Sequence, residues 1–142
     1  MKKFSSFFLL ILSFNLTSHE FNPAHLIIDQ SDDNQNRYDA TWMYPVKNIG
    51  KRADVIFPDI CNSNGSDPFV QGKYIIEKIS LECNESIKGK FIEIINLSVL
   101  TDALVTINFN EDTFEGLINV QKNKIEIPLV DQYYPTAYLY LG

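Results

Sequence analysis

Positive charge is scarce in this chain. Lys and Arg number 12 against 18 Asp and Glu, for a formal net charge of −6. An acidic surface repels phosphate backbones, so no nucleic-acid partner is expected. The same balance disfavours docking to anionic lipid headgroups. Histidine is limited to His19 and His25. A Ser or Cys nucleophile needs a base oriented by a third group, and both histidines lie near the expected start of the exported chain, where order is least. The G-x-S-x-G, P-loop and dinucleotide-binding patterns are absent as well, so the sequence argues against an enzyme. Cysteine is limited to Cys61 and Cys83. Their wide spacing, with no histidine near either, fits neither a zinc site nor a Cys-x-x-Cys redox motif. The longest apolar run near the N-terminus, Phe4 to Phe14, is about 11 residues and too short to span a bilayer.

That run is the middle of an export signal. Met1-Lys2-Lys3 is a short basic start, Phe4 to Leu16 is mostly Phe, Leu, Ile and Ser, and Thr17-Ser18 offers small residues for cleavage before His19. The expected organisation is a signal-peptide helix over 1–18 and one periplasmic domain over 19–142, the latter large enough to bury a core. Hydrophobic residues make up 45% of the chain, which argues against disorder. In an oxidising compartment Cys61 and Cys83 are expected to form one disulfide closing a loop of about 22 residues.

Beyond the leader the pattern reads as strands. In Arg37 to Val46, Tyr38, Ala40, Trp42 and Tyr44 alternate with Arg37, Asp39, Thr41 and Met43, the period-2 spacing of a half-buried strand. Those three aromatics are expected in the core. Strands are also expected at 25–28, 53–57, 73–83, 91–97, 103–109, 114–120 and 124–129, with a hairpin loop over Ser31 to Asn36 and loops at 48–51 and 62–68. Short strands at regular spacing, with no amphipathic helix after the leader, predict an all-β chain: an antiparallel, immunoglobulin-like β-sandwich. The aromatic and apolar stretch from Tyr133 to Gly142 is unusual for a domain end and is expected to lead into something apolar.

Metal-binding readings are modest. Cleavage after Ser18 makes the amine and imidazole of His19 a chelating pair for Cu(II) or Ni(II), with His25 as a third ligand. Asp32-Asp33-Asn34 and Asn110-Glu111-Asp112 are oxygen-rich but lack the EF-hand layout for Ca²⁺. No spacing among the carboxylates selects a general acid and base.

Several segments in order carry a resemblance: His19-Glu20-Phe21-Asn22-Pro23-Ala24, then Tyr38-Asp39-Ala40-Thr41-Trp42-Met43-Tyr44-Pro45. Phe57-Pro58-Asp59-Ile60-Cys61, Leu81-Glu82-Cys83, Ile87-Lys88-Gly89 and Thr101-Asp102-Ala103-Leu104-Val105 follow. Together they resemble the N-terminal extracytoplasmic domain of the HupE/UreJ family, the membrane proteins accessory to hydrogenase and urease. The resemblance implies a non-enzymatic accessory domain facing the periplasm at the inner membrane. It implies as partner a membrane-embedded helical domain, which carries the family's nickel-linked histidines and is not among these residues. In the family an ending like Tyr138-Leu139-Tyr140-Leu141-Gly142 leads into the first transmembrane helix. His25 stands where the family pattern favours an aromatic, so it inherits no role. The alternative expectation is a free secreted module that binds a protein or glycan.

Overall fold

The computed structural model describes residues 22–46 and 52–129. They form ten strands: β1 (Ala24–Gln30), β2 (Arg37–Pro45), β3 (Asp54–Ile56), β4 (Cys61–Gly65), β5 (Phe69–Gln71), β6 (Tyr74–Cys83), β7 (Phe91–Ile95), β8 (Ala103–Asn108), β9 (Thr113–Ile118) and β10 (Lys124–Glu126). Seven belong to one sheet in the order β4-β6-β2-β1-β8-β9, with β5 also on β6, and three form a second sheet in the order β10-β7-β3. The fold is thus the expected all-β sandwich. Its large sheet is mixed rather than antiparallel as expected, because β1 runs parallel to β8. Parallel neighbours need a crossover. Here the chain passes through β7 of the other sheet and returns along 96–102, where the Ala24 amide donates to the Asp102 carbonyl at 2.8 Å.

The alternation read from β2 fixes which face turns inward. Tyr38, Ala40, Trp42 and Tyr44 are all buried, beside Leu26 and Ile28 of β1, Val105 and Ile107 of β8 and Leu81 of β6. Ile92 and Ile94 of β7, with Ile125 and Ile127, close the core from the second sheet. Full burial of each such side chain contributes about 1.5–3 kcal/mol, which offsets the entropy of ordering the chain.

Polar groups clasp the two sheets at one corner. The Trp42 indole Nε1 donates to the Ala53 carbonyl at 3.1 Å in a buried hydrogen bond. Beside it Arg52, just before β3, pairs with Glu77 on the inner face of β6 and with Asp54 at 3.5 Å. Burial works against the Arg52 charge, but Glu77 outweighs it with help from Tyr44 and Asp54, so the guanidinium is held above its ordinary value.

Two strands depart from the sequence reading. Residues 62–68 read as a loop, yet Cys61–Gly65 is a strand, with Cys61 directly opposite Cys83 and joined to it by a disulfide. The cross-link places this polar segment along β6. At the sheet edge its exposed side chains need no apolar alternation. Phe69–Gln71, β5, follows Pro68 on the same edge and was not anticipated either.

Gly89 sits at φ 84°, a backbone conformation that disfavours any side chain, while the Leu129 methyl within 2.8 Å of a Cβ there is the end of an exposed side chain that can turn away. Among the described residues no helix is long and apolar enough to cross a membrane. The expected leader over 1–18, His19, the expected loop over 48–51 and the segment 133–142 lie outside the described residues.

Candidate functional site

The outward face of the seven-stranded sheet is where side chains from distant parts of the sequence meet. Register builds it row by row, because residues opposite each other on neighbouring strands point to the same side. One row is polar: Thr113, Asn108, Asp29, Asp39, Ser80 and Asn64, each opposite the next. Thr113 Oγ1 donates to Asn108 Oδ1 at 3.2 Å, and Asn108 Nδ2 donates to Asp29 Oδ1 at 2.8 Å. Asp29 faces Asp39, a like-charge juxtaposition that a folded sheet ordinarily avoids. Lys78, two residues along from Ser80, donates from Nζ to Thr41 Oγ1 at 3.1 Å. A shallow cleft lies over these side chains, bounded by Asn64 and Ser66 on the edge.

The other row is apolar: Leu117, Leu104, His25, Met43, Ile76 and Phe69, again each opposite the next across six strands. Leu117, Leu104 and Phe69 are 44%, 40% and 45% exposed. Single exposed apolar side chains are ordinary. Here Leu117 and Leu104 are exposed at one end of the row and Phe69 at the other, with half-buried His25 and Met43 and the buried Ile76 between them, and apolar exposure gathered on one face is the pattern of a contact surface.

His25 belongs to this apolar row. It is half-buried, and its ring stands edge-on to Tyr74 at 6.1 Å between centroids. The Tyr74 hydroxyl donates to the Pro23 carbonyl at 3.1 Å, which fixes the start of β1 against β6. His19, the other half of the Cu/Ni reading, lies outside the described residues. Among the described residues no three His, Cys, Asp or Glu side chains group as a metal site. The expected core aromatics Tyr38, Trp42 and Tyr44 are buried on the opposite, inward face, and the expected Cys61–Cys83 bridge is formed.

The two oxygen-rich loops are brought together at one end of the sandwich. The Asn110 amide donates to Gln30 Oε1 at 2.8 Å, and Asn110 Nδ2 donates to the Ser31 carbonyl at 3.3 Å. Neither row could be found strand by strand. Each outward position looks polar or apolar alone, and only the pairing register lines them up. No protein-family model matches the chain, and no curated protein matches it.

Proposed function

We propose that this chain is a non-enzymatic, exported accessory domain that works by contact with a membrane-embedded helical partner of the HupE/UreJ type. One observation carries the reading: the mostly apolar row from Leu117 to Phe69 on the outward face of the large sheet, which exposes Leu117, Leu104 and Phe69. A helical membrane bundle presents apolar and aromatic side chains near its periplasmic rim, and a sheet row of this kind suits such a surface. The motif order from His19 to Val105 supplies the choice of partner, and the leader supplies the compartment. Any link to nickel or another metal then belongs to the partner's histidines rather than to residues of this domain.

Site-specific photo-cross-linking in the cell envelope tests this. A photoreactive residue at Leu104 or Phe69 is expected to join the domain to a polytopic membrane protein, while the same residue at Glu126, exposed on the second sheet, does not. Equal yields from both faces, or products with soluble proteins alone, contradict the proposal. The alternative, a free module for a protein or glycan, is favoured by the polar cleft beside Asp29, Asp39 and Asn64. It gains if Asp39→Ala abolishes retention on a glycan array while cross-linking from Leu104 yields nothing.

A further inference from the structure

The outer edge of β6 is covered by one continuous segment of chain. β4 lies opposite residues 79–83 and β5 opposite residues 74–76, and between these strands the Ser66 amide donates to the Lys78 carbonyl at 2.8 Å. Yet residues 62–73 are all exposed. This strap sends no side chain into the core, so apolar burial contributes almost nothing to holding it. The strand beneath it differs. Ile76, Ile79 and Leu81 of β6 are buried, and β2 pairs with β6 along its other side.

What holds the strap is therefore its backbone ladder and its two ends. At one end Gly72, at φ 61°, turns the chain from β5 into β6. At the other, Cys61 is bonded to Cys83. The two cysteines stand directly opposite each other, but their amides donate to the Pro58 and Asn36 carbonyls instead. They form a rung without ladder hydrogen bonds, and the sulfur bridge is the link at that point. One rung precedes it, from the Asn84 amide to the Ile60 carbonyl at 2.9 Å. Both cysteines are half-buried at the margin of the core, with Asn62, Glu82 and Asn84 exposed beside them. Segments with few buried apolar contacts and solvent-facing hydrogen bonds are the ones that open locally. An intact bridge keeps the root of the strap on β6 through any such opening.

We propose that the Cys61–Cys83 bridge is a redox latch on this strap: reduction by a protein dithiol lets residues 61–71 open from β6 while the two sheets stay folded, and reoxidation closes it. A thiolate of the dithiol attacks one sulfur of the bridge, and the other cysteine leaves and takes up a proton. The second thiol of the dithiol then displaces the first cysteine, so the reductant ends as a disulfide and Cys61 and Cys83 as thiols, two electrons having passed. Opening bares the N–H and C=O groups of the β6 edge, a template for pairing with extended chain. It also carries Asn64 and Phe69, the last members of the polar and apolar rows, away from the outward face.

The test is NMR relaxation on the disulfide-bonded chain before and after dithiothreitol under native conditions, with alkylation and intact mass counting the thiols released. In the oxidised chain the backbone order parameters of Asn64, Ser66 and Val70 are expected near those of a rigid backbone, about 0.85, and in the reduced chain below about 0.6. Those of Leu26, Trp42 and Val105 are expected to stay near about 0.85 in both. Reoxidation restores the first set, and the doubly substituted Cys61→Ser, Cys83→Ser chain matches the reduced parent. Should that variant fail to fold, reduction of the already folded parent decides. The proposal is overturned if the bridge resists dithiothreitol in the folded chain, if strap and sheets lose order together, or if the strap keeps its order once both thiols are free.

Discussion

Replacing Trp42 by Phe tests the clasp between the two sheets. Trp42 is 1% exposed and Ala53 is fully buried, so when the indole N–H is lost the Ala53 carbonyl cannot turn to water. Leaving that acceptor unpaired costs about 1–3 kcal/mol. Phe is smaller than Trp by roughly 40 Å³, and at about 24 cal/mol per Å³ the residual cavity adds about 1 kcal/mol. The total is about 3 kcal/mol, a large share of the roughly 5–15 kcal/mol that holds a domain together. Urea unfolding followed by far-ultraviolet circular dichroism is the assay, because Trp42 is the chain's one tryptophan and its fluorescence goes with it. The midpoint should fall with the slope unchanged, as for a stability change without altered exposure on unfolding. A benzothienyl-alanine at position 42 keeps the shape but not the donor, and should lose about 1–3 kcal/mol by itself. A Trp42→Phe variant within about 0.5 kcal/mol of the parent would refute both the hydrogen bond and the sheet contact it fixes.

Three further outcomes are expected. Changing both Cys61 and Cys83 to Ser should cost about 3 kcal/mol, since the bridge closes a loop of 22 residues; denaturation with and without reductant should show the same difference in the parent. Gly89→Ala and Gly72→Ala should both destabilise, because both positions have positive φ, and the Leu129 methyl near Gly89 sits on an exposed side chain that can move aside. An unchanged thermal midpoint in either variant contradicts the left-handed backbone there. Burial raises the Tyr38 and Tyr44 phenols above their ordinary value of 10.0. The sign follows from linkage: the fold favours the protonated forms, so their stability is fully present below pH 10 and is lost as pH rises through the raised folded values. Tyr44→Phe should reduce that alkaline loss, and an unchanged pH profile counts against burial as its cause.

The sequence made some of this legible and hid the rest for identifiable reasons. The side-chain period of a strand is local, so Tyr38, Ala40, Trp42 and Tyr44 announced the inward face of β2 before any partner was known. Cys61–Gly65 was hidden because an edge strand with exposed polar side chains has the composition of a turn; the signal present was the pair of cysteines whose bridge sets its register. The parallel pairing of β1 with β8 joins residues about 80 apart, and no local period encodes it. The same holds for the apolar row from Leu117 to Phe69, whose members come from six strands.

The most direct test of the central claim is to read the coding DNA through and beyond the codon for Gly142. The account predicts that the frame continues into, or is followed by a frame for, several apolar helices bearing histidines. A stop codon with no membrane protein encoded nearby contradicts the HupE/UreJ-type partnership and leaves a free exported binding domain.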